Sequence, residues 1–306
     1  MNEADETLKR ALDTLLCNQN IEQTIANDPI QFAHQYEEPK DKELAAIFAS
    51  FLAFGRVSLF LPVIRRWMTL CDERGGPRQT VEHFSADDIP AFSTLSYRWN
   101  KKPDFVLAMF TFQRLFTQHD TVGKLVESLY DPEDTDLNAT MARLITRLES
   151  YAIDSAPSVG LSVTTFAELP DGFKRFLSSP AKGSACKRWQ MLMRWMVRTK
   201  APDLGLWQLP ASKLTIPLDV HVHSLSQMIG LTKYKSPNLK AAKEITLRLR
   251  RIHPTDPTEY DFALAHLGIS GECQKTHKKE ICPCCPLHDL CVHTKGNHTQ
   301  DSGAPS

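Results

Sequence analysis

Apolar residues recur along the chain at helical spacing. Leu8, Leu12, Leu15 and Leu16 fall on one side of a helix, and Ile47, Phe51, Leu52 and Phe54 repeat the pattern. Similar stripes run through residues 105–116, 125–129, 141–148, 189–197, 225–231 and 245–249. Prolines at positions such as 39, 62, 77, 90, 103, 157 and 180 stand between or at the starts of these segments, where a ring without an N–H is tolerated. No run alternates apolar and polar residues as a strand does, and nothing repeats at a fixed period, so the pattern predicts an all-α protein. The greasiest stretch, residues 44–64, carries Gly55, Arg56 and Pro62. An unpaired arginine is costly in a bilayer, so this stretch reads as two buried helices joined by a turn. Residues 72–98 and the acidic run 131–136 read as loops or insertions, and 92–100 as a local packing corner. The polar residues from Gly296 onward read as a disordered tail.

Charge adds a division that the helical pattern does not show. The chain of 306 residues has 36 Lys/Arg and 36 Asp/Glu. Residues 1–170 hold 16 basic against 25 acidic side chains, whereas residues 171–300 hold 20 against 10. A basic second half points to an acidic partner, with nucleic acid the first candidate. The first ten residues are acidic and polar, unlike a secretion signal, which leads to the expectation of a cytoplasmic protein, nucleoid-associated if it binds DNA.

Five of the eight cysteines crowd near the C-terminus, in the order Cys273-x8-Cys282-x2-Cys285-x5-Cys291, with Cys284 as a spare. Four soft sulfur donors in so short a segment suit zinc or an iron–sulfur cluster. Structural zinc sites usually pair two short Cys-x(2–4)-Cys knuckles, and here there is one, which favours a [4Fe–4S] cluster.

This loop, and above all Cys285-Pro-Leu-His-Asp-Leu-Cys291, resembles the cluster loop of endonuclease III and its relatives, the helix-hairpin-helix-GPD superfamily of DNA glycosylases. Upstream, Leu218-Asp219-Val220-His221-Val222-His223 is similar to that superfamily's V-D-T-H-V-H segment. Residues 44–57 carry a fainter likeness. Gly183-Ser-Ala-Cys-Lys-Arg188 and Arg194-Trp-Met-Val-Arg198 also resemble an uncharacterised branch, the domain-of-unknown-function-2400 family. The resemblance implies a two-lobed endonuclease III-like fold. One cluster-bearing helical domain would comprise residues 1–42 and 213–295, and a helical-barrel domain with insertions residues 43–212. It implies Cys273, Cys282, Cys285 and Cys291 as cluster ligands and Asp219 as the catalytic carboxylate. The superfamily's phosphate-gripping L-P-G-V-G-R-K-T-A hairpin has no full counterpart. The nearest segment, Gly183-Ser184-Ala185-Cys186-Lys187, lacks the second glycine, and residues 199–215 look inserted after it.

Each residue also has an ordinary reading. Asp219, following Pro217-Leu218, suits a helix N-cap, a role compatible with catalysis. His221 and His223 read as packing residues. Lys187 is a surface lysine that the resemblance makes a candidate imine-forming nucleophile. Lys240, Lys243, Arg248, Arg250 and Arg251 surround the stripe Ala241, Ile245 and Leu249, giving either a wet helix face or a phosphate-contacting surface. Trp189, Met191, Met193 and Trp195 read as core. The expected function is a monomeric base-excision glycosylase, with or without lyase activity, acting on damaged or abasic double-stranded DNA and flipping the base into an interdomain cleft. The alternatives are a non-catalytic iron–sulfur nucleic-acid-binding protein of the same fold and a cluster-bearing redox or structural module.

Overall fold

The computed structural model describes residues 2–269 and 271–295 and is all-α. Among the described residues the β pairing amounts to a single bridge between Tyr97 and Asn100. The longer helices are α1 (Glu3–Cys17), α2 (Pro39–Leu52), α3 (Val57–Asp72), α4 (Lys102–Phe116), α5 (Val122–Leu129), α6 (Asn138–Ser155), α7 (Lys187–Val197), α8 (Val220–Met228), α9 (Leu239–Ile252) and α10 (Asp261–Ile269). No described helix is long and apolar enough to cross a membrane. The greasy stretch forms the end of α2 and the start of α3, with the turn at residues 53–56. The tail from Gly296 lies outside the described residues.

The chain divides into two compact units, residues 1–24, 185–190 and 210–306, and residues 25–184 and 191–209. Residues 25–42, grouped with the cluster-bearing part in the sequence reading, belong to the second unit. The cause is a 3-10 turn, Pro29–Gln35, whose Ile30, Phe32 and Ala33 are fully buried and which packs on α2.

In the first unit, α1, α8, α9 and α10 share one core that includes Leu12, Leu218, Val222, Ile245, Leu249 and Leu264. Each such side chain contributes about 1.5–3 kcal/mol when fully buried. Asn2 caps α1 by accepting the Asp5 amide at 2.8 Å. The Tyr260 hydroxyl ties α10's lead-in to α1 by donating to Asp13 at 2.7 Å. Gly268 lets α10 approach α8 closely, since a Cβ there would come within 2.8 Å of the Cβ of His221.

The second unit is built on aromatics. Phe48 stacks on Trp67 at 4.4 Å between ring centroids, and Phe51 stacks on Phe176 at 4.6 Å. Into this apolar interior α2 carries one carboxylate, Glu43. It accepts the Val122 amide at 2.9 Å, the Gly123 amide at 2.7 Å and the Trp207 indole N–H at 2.7 Å. Burial pushes its carboxyl above the usual range, and these donors pull the other way. A second buried polar group joins α7 to the segment after it. Arg194 donates to Asp203 through Nε at 3.2 Å and Nη2 at 3.1 Å, and Arg198 donates to the other carboxylate oxygen. The Arg-Trp-Met-Val-Arg motif is therefore a buried ionic clamp.

Two local expectations change. Residues 72–98 are not simply a loop, because short helical turns form at Pro77–Glu82, Ala86–Asp88 and Ile89–Phe92. Gly75 and Gly76, at φ 89° and 105°, stop α3, Pro77 restarts the helix at its first position, and Ser85 with Asp88 caps the next turn. Pro62 does not mark a boundary. It lies inside α3 on an exposed face, where water can satisfy the carbonyl that its ring leaves without an amide.

Candidate functional site

The chain leaving α10 forms a loop with 3-10 turns at Cys282–Cys284 and His288–Leu290. The Cys273 amide donates back to the Leu267 carbonyl at 3.2 Å, fixing the loop to the end of α10. Cys273, Cys282, Cys285 and Cys291 line one pocket, while Cys284 is exposed and outside it. Leu225, Met228, Ile229, Leu267 and Leu287 supply the apolar wall. The cavity of about 40 Å³ holds more than a single water, which needs roughly 10–15 Å³ by the same measure. The Lys278 amide donates to Cys282 Sγ at 3.2 Å, tying the loop across this sulfur. Burial pushes the Cys285 thiol up, the Leu287 amide opposes this, and the neighbouring Cys273, Cys282 and Cys291 push further up. None of the eight cysteines is in a disulfide.

Among the described residues no three His, Cys, Asp or Glu side chains converge tightly enough to hold one metal ion. Four sulfurs spaced around a pocket could instead hold a polynuclear group with soft-ligand preference.

Asp219 is the N-cap of α8. Its Oδ1 accepts the His221 amide at 2.8 Å and the Val222 amide at 2.9 Å. The side chain is half-buried, and Oδ2 has no hydrogen-bond partner among the described residues. One oxygen is thus committed to the backbone and the other remains available. His223 is buried and bonds the Tyr234 carbonyl through Nε2 at 3.0 Å, while His221 packs against Gly268. His221 Nδ1 is buried without a hydrogen-bond partner among the described residues.

Lys187 is the first residue of α7 and is half-exposed. Ahead of it a one-turn 3-10 helix, Pro180–Lys182, ends at Gly183 with φ 79°, and Cys186 takes φ 47°. A cysteine thus occupies a left-handed position that glycine adopts at lower cost. Ala185 lies in the same core as Leu218 and Val222, so the N-termini of α7 and α8, carrying Lys187 and Asp219, are seated on one core.

On α9, Lys240, Lys243 and Arg248 are exposed, with Leu247 between them 60% exposed. Of the other two basic candidates, Arg251 pairs with Asp5 at 2.6 Å, and Arg250 is half-buried with its Nε enclosed. The sequence reading missed the surface character of residues 98–99, next to the buried Tyr97. Trp99 is 42% exposed, and the signal was the adjacency of Arg98-Trp99 to Lys101-Lys102.

Residues 28–270 match the family described as Protein of unknown function (DUF2400), and the chain belongs to that family. The matched span includes Lys187, Asp219 and all of α9, and ends just before the cysteine loop. No curated protein and no solved structure matches the chain.

Proposed function

We propose that the protein is a base-excision DNA glycosylase of the helix-hairpin-helix-GPD type, with a [4Fe–4S] cluster held by Cys273, Cys282, Cys285 and Cys291. The observation that carries the reading is the sorting of the five C-terminal cysteines. The four that the resemblance names line one pocket, and Cys284 is left outside it. The cluster would cross-link the loop onto the wall formed by α8 and α10.

The chemistry falls to Asp219. Cleavage of an N-glycosidic bond passes through a sugar that carries positive charge, and a fixed carboxylate lowers that barrier. With Oδ1 held by two amides, Oδ2 can face the sugar or accept a proton from an attacking water. Lys187 supplies an amine seated on the same core; it would attack the sugar C1′ as the base departs, and opening of the sugar ring would leave the imine from which a lyase step eliminates the 3′ phosphate. Lys240, Lys243 and Arg248 would bind phosphates, which fixes orientation without reading sequence. Gly183 and Cys186 both have left-handed backbone just ahead of Lys187, in the stretch where the superfamily has its phosphate-gripping hairpin. On this reading the protein is a cytoplasmic enzyme acting on duplex DNA.

A second reading, an iron–sulfur DNA-binding protein without catalysis, is favoured by the complete use of Asp219 Oδ1 as a cap. The test of the cysteine assignment is anaerobic purification with metal analysis. About four irons per chain and brown colour are expected in wild type and Cys284→Ser, with both lost in Cys285→Ser. One zinc without iron, or bleaching by Cys284→Ser, overturns it.

A further inference from the structure

We propose that the second unit carries its own nucleic-acid contact, an arginine–aromatic pile centred on Trp99 that takes an unpaired nucleotide. It rests on the nucleic-acid reading above, and uses none of the residues that reading invoked.

Phe54 and Trp99 stack at 4.8 Å between centroids with their planes 7° apart. The Arg98 guanidinium lies 5.0 Å from the Trp99 ring centre and that of Arg175 lies 4.7 Å from it. Two positive charges therefore sit on one exposed indole. A ring face is negative, so each guanidinium is held there by cation–π attraction and loses little freedom on binding a phosphate. Arg98 and Arg175 are exposed, and Arg56, Lys101 and Lys102, close by in sequence, are exposed cations too. The exposed Asp171, four positions before Arg175, pairs with Lys174 at 2.9 Å and also attracts Arg175. This basic spot stands within residues 1–175, where acidic side chains outnumber basic ones, so it is no extension of a generally basic surface.

The backbone holds the pile in place. Arg98 adopts φ 54°, a left-handed conformation unusual for arginine, and Gly55 adopts φ 83°. A Cβ on Gly55 would stand 2.6 Å from Arg98 Nη1 and 2.8 Å from the Tyr97 hydroxyl, so a larger residue there would push the arginine tip out of this place. The Tyr97 hydroxyl in turn donates to the Phe54 carbonyl. A non-glycine residue kept left-handed by its neighbours is the kind of strain that marks binding surfaces.

Guanidinium forks bind phosphate oxygens in pairs, and bases stack on aromatic rings and on guanidinium planes. A duplex buries its base faces, whereas a single strand offers both phosphate and base to such a pile. The occupant is therefore a single-stranded segment of nucleic acid.

Trp99 also provides the readout. The other four tryptophans, Trp67, Trp189, Trp195 and Trp207, are buried, so exposed tryptophan emission reports on Trp99. A twelve-residue thymidylate oligonucleotide titrated into the full chain should quench that emission and protect it from iodide. Trp99→Phe should abolish the quench. Arg98→Asn, which tolerates the left-handed backbone, combined with Arg175→Gln should weaken binding at least about tenfold and reduce the salt slope by about 1.4. Arg175→Gln alone tests the point should the double variant fold poorly. Binding of the oligonucleotide without quenching, or unchanged binding by the arginine variants, overturns this inference and leaves the duplex reading standing. Absence of binding to single- and double-stranded DNA alike overturns both.

Discussion

Glu43→Ala should be among the most destabilising single substitutions in the second unit, and its size can be worked out from three bonds. The carboxylate accepts two amides at the start of α5 and the Trp207 indole N–H, all from buried residues. A buried donor left without a partner costs about 1–3 kcal/mol. Three of them would set the loss at roughly 3–9 kcal/mol, and water entering the space vacated by the carboxylate returns part of it, so about 4 kcal/mol is expected. Glu43→Gln keeps one acceptor but turns an NH2 group toward N–H donors, and should lose about 2 kcal/mol. Trp207→Phe removes one bond and should lose about 1 kcal/mol. Because the two residues touch, the double variant Glu43→Ala, Trp207→Phe should be less damaged than the sum by about 1 kcal/mol. Urea unfolding followed by far-ultraviolet circular dichroism measures all four. A Glu43→Ala protein within about 0.5 kcal/mol of wild type would refute the reasoning, since ordinary surface substitutions reach that range.

Gly172→Ala should destabilise the second unit by several kcal/mol, because its Cβ would fall 1.9 Å from Asp104 Oδ2, which accepts the Lys101 amide at 2.7 Å; thermal melts of wild type and variant check this. On α9, replacing Lys240, Lys243 and Arg248 together with Gln should lower the salt slope of duplex DNA binding by about 2.7 while leaving the melting temperature unchanged. An unchanged slope would assign these residues to a solvated face. Asp219→Ala should cost about 1 kcal/mol through loss of the cap, whereas Asp219→Asn should cost only a few tenths, as measured by the same unfolding assay.

The helices were legible because burial on one side leaves a period. Leu8, Leu12 and Leu15 do face the first unit's core, and the 44–64 stretch does break into two helices at Gly55 and Arg56. Asp219 as a cap was legible as well, since an N-cap depends on residues two or three positions away. Glu43 was not, for its indole partner lies 164 positions downstream and no local pattern encodes that pairing. The same holds for the inserted-looking residues 199–215, which supply both Trp207 to Glu43 and Asp203 to the arginines of α7. The helical turns within 72–98 were hidden because Gly and Pro mark a helix restart as readily as a loop. Spacing proposed which cysteines act together; the pocket in three dimensions separates Cys284 from the other four.

Single-turnover base excision is the measurement for the proposed action of Asp219 on a glycosidic bond. Wild-type protein is mixed in excess with duplexes that each carry one damaged base, and strand scission after alkali counts excised bases. On any duplex that wild type processes, Asp219→Asn should be slower by about a hundredfold or more, the usual scale for losing a positioned acid–base group. It should bind that duplex at least as tightly, because a repulsive charge near the phosphates is gone. Equal rates for wild type and Asp219→Asn on a processed duplex would contradict the assignment, and so would failure of the iron-loaded wild type to excise any base it binds.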